Sequence, residues 1–268
     1  MKILYPLLNV LQALFLATWG AFWITLAGVM ALLTLDGNVP LMMARRFWGP
    51  MHWRLNGSRM FVEPLPAVDW SQPYIFLMNH QSAMDIPCAF AALPVNIRFV
   101  AKHVLKYVPF LGWYMAMTGM IFINRSNHHQ AVQSLQRAGE RIRSGKSILA
   151  FPEGTRSRDG RIMPFKKGPF IIAIAAQVPI IPVAIEGSLQ TLPQGSIWLR
   201  QHDIRVKVGQ PIATQGLTPE DRDALLRRVR EAIIQLHREI GGAGGVPQAI
   251  AERGREGLSE ASPPTAAE

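Results

Sequence analysis

From Ile3 to Leu35 the chain carries no charged side chain, and apolar residues fall on every face of a helix drawn through the run. Such a helix lacks the single apolar stripe that would dock on a water-soluble core, and ~20 apolar residues already span the hydrocarbon of a bilayer. The run exceeds the ~7–15 residue core of a secretory leader, so it predicts a helical membrane anchor. The next stretch, Leu41 to Leu55, is amphipathic. There Arg45, Arg46 and Arg54 suit lipid headgroups, while Met42, Met43, Phe47, Trp48 and Trp53 suit the interface beneath them.

Beyond the anchor the period changes. Short apolar runs at 73–79, 97–101, 120–124, 147–151, 180–186 and 203–209 predict strands, separated by helical periodicity near 83–93, 105–117, 128–144 and 166–176. This alternation predicts an α/β layer arrangement. The last helix is the most clearly written: Thr218-Pro219-Glu220-Asp221 supplies a cap, a first-turn proline and acids, and Leu226, Val229, Ile233, Leu236 and Ile240 form a buried stripe that ends at Gly241. From Gly241 to Glu268 glycine, proline, alanine and charge dominate, which predicts a disordered tail.

Composition narrows the function. With 28 Lys and Arg against 18 Asp and Glu, the 268-residue chain has a formal charge of +10. That balance suits nucleic acid or an anionic membrane, and the uncharged N-terminal run favours the membrane. Outside the membrane-associated segment at 1–58 there is no basic stripe interleaved with aromatics, so no nucleic-acid partner is expected. A single cysteine excludes an internal disulfide framework, and no paired Cys or His spacing suggests a structural metal.

Two short segments carry the chemistry. In Asn79-His80-Gln81-Ser82-Ala83-Met84-Asp85 a histidine precedes an aspartate by five positions. A carboxylate on one imidazole nitrogen fixes the tautomer and stabilises the imidazolium, which makes the other nitrogen a general base. Positions five apart on one helix diverge, so the pair meets only if His80 lies in the loop before a helix opened by Ser82 or Pro87. Ser82-Ala-Met-Asp85 also fits a capping box, which would spend the Asp85 carboxylate on backbone instead. The spacing leaves both readings open.

The second segment, Phe151-Pro152-Glu153-Gly154-Thr155-Arg156, turns sharply out of an apolar strand. Gly154 admits close backbone approach, and Arg156 presents a planar fork suited to phosphate. Arg158 and Arg161 read as solvated charge, and His128 and His129 as a helix start. The lone Cys88 sits among apolar neighbours and reads as an inert buried thiol. Ser82 lacks the Gly-x-Ser-x-Gly setting of a hydrolase nucleophile.

Taken in order, His80-x4-Asp85, Phe122-Ile-Asn-Arg125, Phe151-Pro-Glu-Gly-Thr-Arg156 and Val178-Pro-Ile-Ile-Pro-Val183 resemble the four motifs of the glycerolipid acyltransferase family, most closely its 1-acyl-sn-glycerol-3-phosphate acyltransferases. Lys102 to Trp113 also resembles the segment those enzymes carry between the first two motifs. The resemblance implies one acyltransferase domain with a mixed sheet flanked by helices, at 59–240, between the anchor at 1–58 and the tail at 241–268. It implies His80 as general base and Asp85 as its orienting partner. Arg125, Glu153, Gly154, Thr155 and Arg156 would then hold the glycerol phosphate, with Glu153 aligning an arginine or hydroxyl. The reaction would need no cofactor or metal, and the donor would be acyl-CoA or acyl carrier protein. Lysophosphatidate and anionic phospholipids would be the lipid partners. Arginines after the anchor place the catalytic domain on the cytoplasmic side of the cell membrane.

Overall fold

Six apolar runs become strands, and a seventh strand joins them. In the computed structural model, which describes residues 4–123 and 139–246, the strands are β1 (Met60–Val62), β2 (Ile75–Met78), β3 (Ile97–Lys102), β4 (Ile121–Ile123), β5 (Ser147–Ala150), β6 (Ile180–Glu186) and β7 (Ile204–Val208). They lie in the order β1-β7-β6-β2-β5-β3-β4. All neighbours are parallel except β6 and β7, so the sheet is mixed. Central β2 is buried at every residue, as a parallel strand covered on both faces must be.

The helices divide between the two faces. Phe76 and Met78 of β2 point to one face, where α4 (Asp85–Ala92), α2 (Asn38–Met43) and α3 (Gly49–Arg54) cover them with Cys88, Phe90, Leu41 and Trp53. Ile75 and Leu77 point to the other, beneath α6 (described over 139–143), α7 (Gly168–Ala176) and α9 (Arg222–Glu239). Two short elements complete the set, α5 (Leu111–Met117) and α8 (Ser188–Thr191). Thr218 and Asp221 form the expected capping box ahead of α9. The buried face of α9 is wider than the stripe read from sequence and includes Leu225, Arg230, Ile234 and His237.

The N-terminal helix α1 (Leu4–Thr34) has 31 residues, about 46 Å at 1.5 Å per residue, against a hydrocarbon core near 30 Å. Leu7, Leu11, Leu14, Phe22, Leu32 and Leu33 are exposed along it. It is long and apolar enough to cross a membrane.

Several expectations are revised. Met43 and Trp53 are not interfacial residues: both are buried in the core. Arg45 donates to the Pro94 carbonyl rather than facing headgroups. The boundary at residue 58 therefore cuts through a packed unit. Residues 241–246, expected as the start of a tail, belong to the fold: Val246 N–H donates to the Ile162 carbonyl at 3.0 Å, and Ile162 N–H to that of Gly244 at 2.8 Å. Arg125, His128 and His129 lie outside the described residues, as does most of the helix expected over 128–144.

Candidate active site

Strand β2 delivers the first chemical group. As the chain leaves the sheet, the Asn79 side chain accepts the Ile185 N–H at 2.8 Å and donates to the Ile185 carbonyl at 3.0 Å, tying the turn to β6. The next residue, His80, is thereby held at the carboxyl edge of the sheet, where open α/β sheets place their ligands. Its Nδ1 lies 2.7 Å from Asp85 Oδ2. Asp85 opens α4 with no exposed surface, and the same oxygen accepts the N–H groups of Gln81 at 2.7 Å and Ser82 at 2.9 Å. Capping and orienting are thus one arrangement. An ionised carboxylate only accepts, so the proton sits on Nδ1 and Nε2 keeps its lone pair.

The imidazole plane is fixed from a second side. Phe151, at the end of β5, stacks on it with ring centres 3.9 Å apart and planes 13° apart. The loop after Phe151 holds the backbone too: Glu153 Oε1 accepts His80 N–H at 2.7 Å, and the His80 carbonyl accepts Ser157 N–H at 2.7 Å. The other Glu153 oxygen accepts Met163 N–H at 2.9 Å. This places Glu153, only 2% exposed, beneath the histidine turn, within reach of the Arg230 charge. Burial pushes its carboxyl up to about 8, against the two backbone donors that favour the charged form.

His80 opens on a cavity of about 490 Å³, within the range usual for small-ligand sites. Its polar lining comes from the carboxyl edge of the sheet: Gly154, Thr155 and Arg156 after β5, and Lys102 at the end of β3. Gly154 takes φ +78°, which a side chain would resist. Apolar walls come from α1, α2, α4 and α5, through Trp23, Ala27, Met43, Phe90, Tyr114 and Met115 among others. The supposed anchor therefore builds part of the site. Neither Arg156 nor Lys102 is paired with a carboxylate among the described residues.

The nucleophilic alternatives are occupied. Cys88 is fully buried, and that burial, with Asp85 nearby, raises its thiol well above the ordinary value. Ser82 Oγ donates to the Leu192 carbonyl at 2.7 Å and accepts Met84 N–H, which leaves it structural. Sequence reasoning did not single out Glu186, Ser188 or His237, all of which converge behind the dyad. The one signal for His237 was a polar residue one position from the apolar stripe of α9.

A family model described as acyltransferase matches residues 59–186. The 1-acyl-sn-glycerol-3-phosphate acyltransferase of Saccharomyces cerevisiae is 33% identical over 259 residues, 93% of this chain and 84% of that protein. The human 1-acyl-sn-glycerol-3-phosphate acyltransferase alpha is 34% identical over 194 residues, covering 71% and 69%. The crystal structure of the 1-acyl-sn-glycerophosphate acyltransferase PlsC from Thermotoga maritima superposes with a TM-score of 0.72 at 27% identity, across 98% of this chain and 99% of that one. An oriented histidine, a cation-rimmed apolar cavity and relatives matched over nearly the whole chain agree: the protein is an O-acyltransferase and belongs to the family of the 1-acyl-sn-glycerol-3-phosphate acyltransferases.

Proposed function

We propose that this enzyme transfers a fatty acyl group from acyl-CoA or acyl carrier protein to the sn-2 hydroxyl of 1-acyl-sn-glycerol 3-phosphate, giving phosphatidate. The observation that carries the reading is His80, with Nδ1 committed to Asp85 and Nε2 left for a ligand in a cavity rimmed by Arg156 and Lys102. Nε2 takes the proton of the lysolipid hydroxyl as its oxygen attacks the thioester carbonyl. The tetrahedral intermediate then collapses, the C–S bond breaks, and the leaving thiolate takes the proton back from the imidazolium. Asp85 stabilises that imidazolium without itself being protonated.

Arg156 offers a bidentate fork to the phosphomonoester, and Lys102 a point charge. Arg125 is proposed to share that role. Thr155 and Gly154 lie against the same space, and the apolar walls suit an acyl chain. No step uses a metal or cofactor. Exposed apolar side chains along α1 support a place at a membrane, and the arginines that follow support a catalytic domain on the cytoplasmic side.

The test is to incubate purified enzyme in vesicles with labelled acyl-CoA, or acyl carrier protein, and a panel of lysolipids, beside His80→Ala. Phosphatidate formed from lysophosphatidate and lost in the variant is the expected result. Acylation of a different lysolipid would keep the chemistry and replace the acceptor. Transfer undiminished in His80→Ala would remove the base.

A further inference from the structure

A second histidine–carboxylate pair stands behind the first. His237 of α9 has no exposed surface, and its Nε2 lies 2.6 Å from Glu186 Oε2 at the end of β6. Gly244 N–H points at the His237 Nδ1 from 3.2 Å. With Nδ1 accepting, the ring proton belongs on Nε2, directed at Glu186. The ring is seated on bare backbone: a Cβ at Gly242 would lie 2.2 Å from Nε2.

From this pair the contacts run to the dyad. Gln81 Nε2 donates to Glu186 Oε2 at 2.9 Å and to the Gly160 carbonyl at 3.1 Å, while the Gln81 backbone N–H is one of the donors to Asp85 Oδ2. Two residues past Glu186, Ser188 is wholly buried and its hydroxyl donates to Asp85 Oδ1 at 2.5 Å. The terminal torsion of an aspartate is soft, so a carboxylate held through one oxygen can pivot. Ser188 occupies the other oxygen and removes that freedom. Burial alone would raise the Glu186 carboxyl; hydrogen bonds from His237, Gln81 and Gln190 outweigh it and hold the group below its ordinary value.

We propose that Ser188 and His237 are positioning residues for acyl transfer: Ser188 locks the plane of the Asp85 carboxylate, and His237, through Glu186 and Gln81, holds the turn that carries His80. Both lie beyond the 59–186 segment matched to the family. The C-terminal helix is then part of the catalytic apparatus as well as of the scaffold. The proposal rests on His80 acting as the base.

The experiment uses the full chain in vesicles, with Ser188→Ala, Ser188→Thr, His237→Leu and His237→Gln beside wild type and His80→Ala. Three quantities are read: kcat and KM on whichever lysolipid the wild type acylates, thermal unfolding, and the downfield proton resonance of the His80 imidazole N–H. A misplaced dyad costs up to about 100-fold in rate, so Ser188→Ala is expected to lose about 10- to 100-fold in kcat with KM unchanged, and to move the resonance. Ser188→Thr, which keeps the hydroxyl, restores most of the rate. His237→Leu behaves like Ser188→Ala, and His237→Gln, which keeps a donor toward Glu186, recovers part of the loss. If Ser188→Ala does not fold, Ser188→Cys, of similar size but a poor donor, decides by the same readings. Wild-type kcat with an unmoved resonance, or a loss confined to KM, overturns the proposal. Unchanged transfer in His80→Ala would instead overturn the base assignment, which separates the two failures.

Discussion

His80–Asp85 and His237–Glu186 use the same two functional groups at 2.7 and 2.6 Å, yet only one of them is left with a base. The His80 side chain keeps 16% of its surface, and its second nitrogen has no partner among the described residues. His237 keeps none, and both its nitrogens are engaged, one donating to Glu186 and one accepting from Gly244. On the roles proposed for them, what separates catalyst from strut is the fate of the nitrogen opposite the carboxylate.

The comparison can be broken from either side. The largest effect expected is His80→Ala, which should lower kcat by about 10² to 10⁴ while thermal unfolding barely moves, because the Glu153 bond is to the His80 backbone and survives. A steady-state assay beside a melting curve checks both halves. For His237→Leu the energetic signature is the reverse of that flat melting curve. Stability should fall by about 3 kcal/mol, since the carboxylate of Glu186 stays half-buried with its main donor gone; urea unfolding measures it.

A third carboxylate, Glu153, sharpens the contrast because burial outweighs the nearby Arg230 charge and no imidazole or ion pair holds it among the described residues. Its carboxyl is raised from 4.5 to about 8. Between those values the folded chain holds a proton that the unfolded chain has released, so stability declines as pH rises from about 5 to 8. Glu153→Gln should abolish that slope. It should also cost about 1 kcal/mol at low pH, where its NH2 confronts one of the two backbone N–H donors. Parallel urea-midpoint curves for the two proteins between those pH values would show Glu153 already charged. The smallest effect is a labelling difference: an imidazole-acylating reagent should modify His80 in the folded protein and spare His237, as peptide mapping would show.

Much of this was legible along the chain, and the gaps have physical reasons. Strands β2, β5 and β6 announce themselves because strands buried on both faces are continuous apolar runs, and β7 by the alternation of Ile204, Val206 and Val208 with Arg205 and Lys207. β1 does not: Phe61 and Val62 are exposed, and its three residues pair only with β7, 144 positions on. The dyad was visible as a spacing, but whether Asp85 served the histidine or the helix could not be read from sequence, since one oxygen serves both. Glu153 looked like a ligand residue because it follows a strand end, and only the backbone donors of His80 and Met163 reveal otherwise. Ser188 and His237 were hidden because their partners lie 103 and 51 residues away.

The strand order has a consequence for how the protein is made. β2 pairs with β5 and β6, and β1 with β7, so the first two strands wait for late ones. Such long-range parallel pairing is slow and leaves apolar edges uncovered in the meantime. During synthesis α1 leaves the ribosome before any strand of the sheet and is free to enter lipid while the sheet still lacks its centre. The catalytic domain then folds already tethered, and His80, made in the first third of the chain, gains its last strut only when residue 244 has emerged.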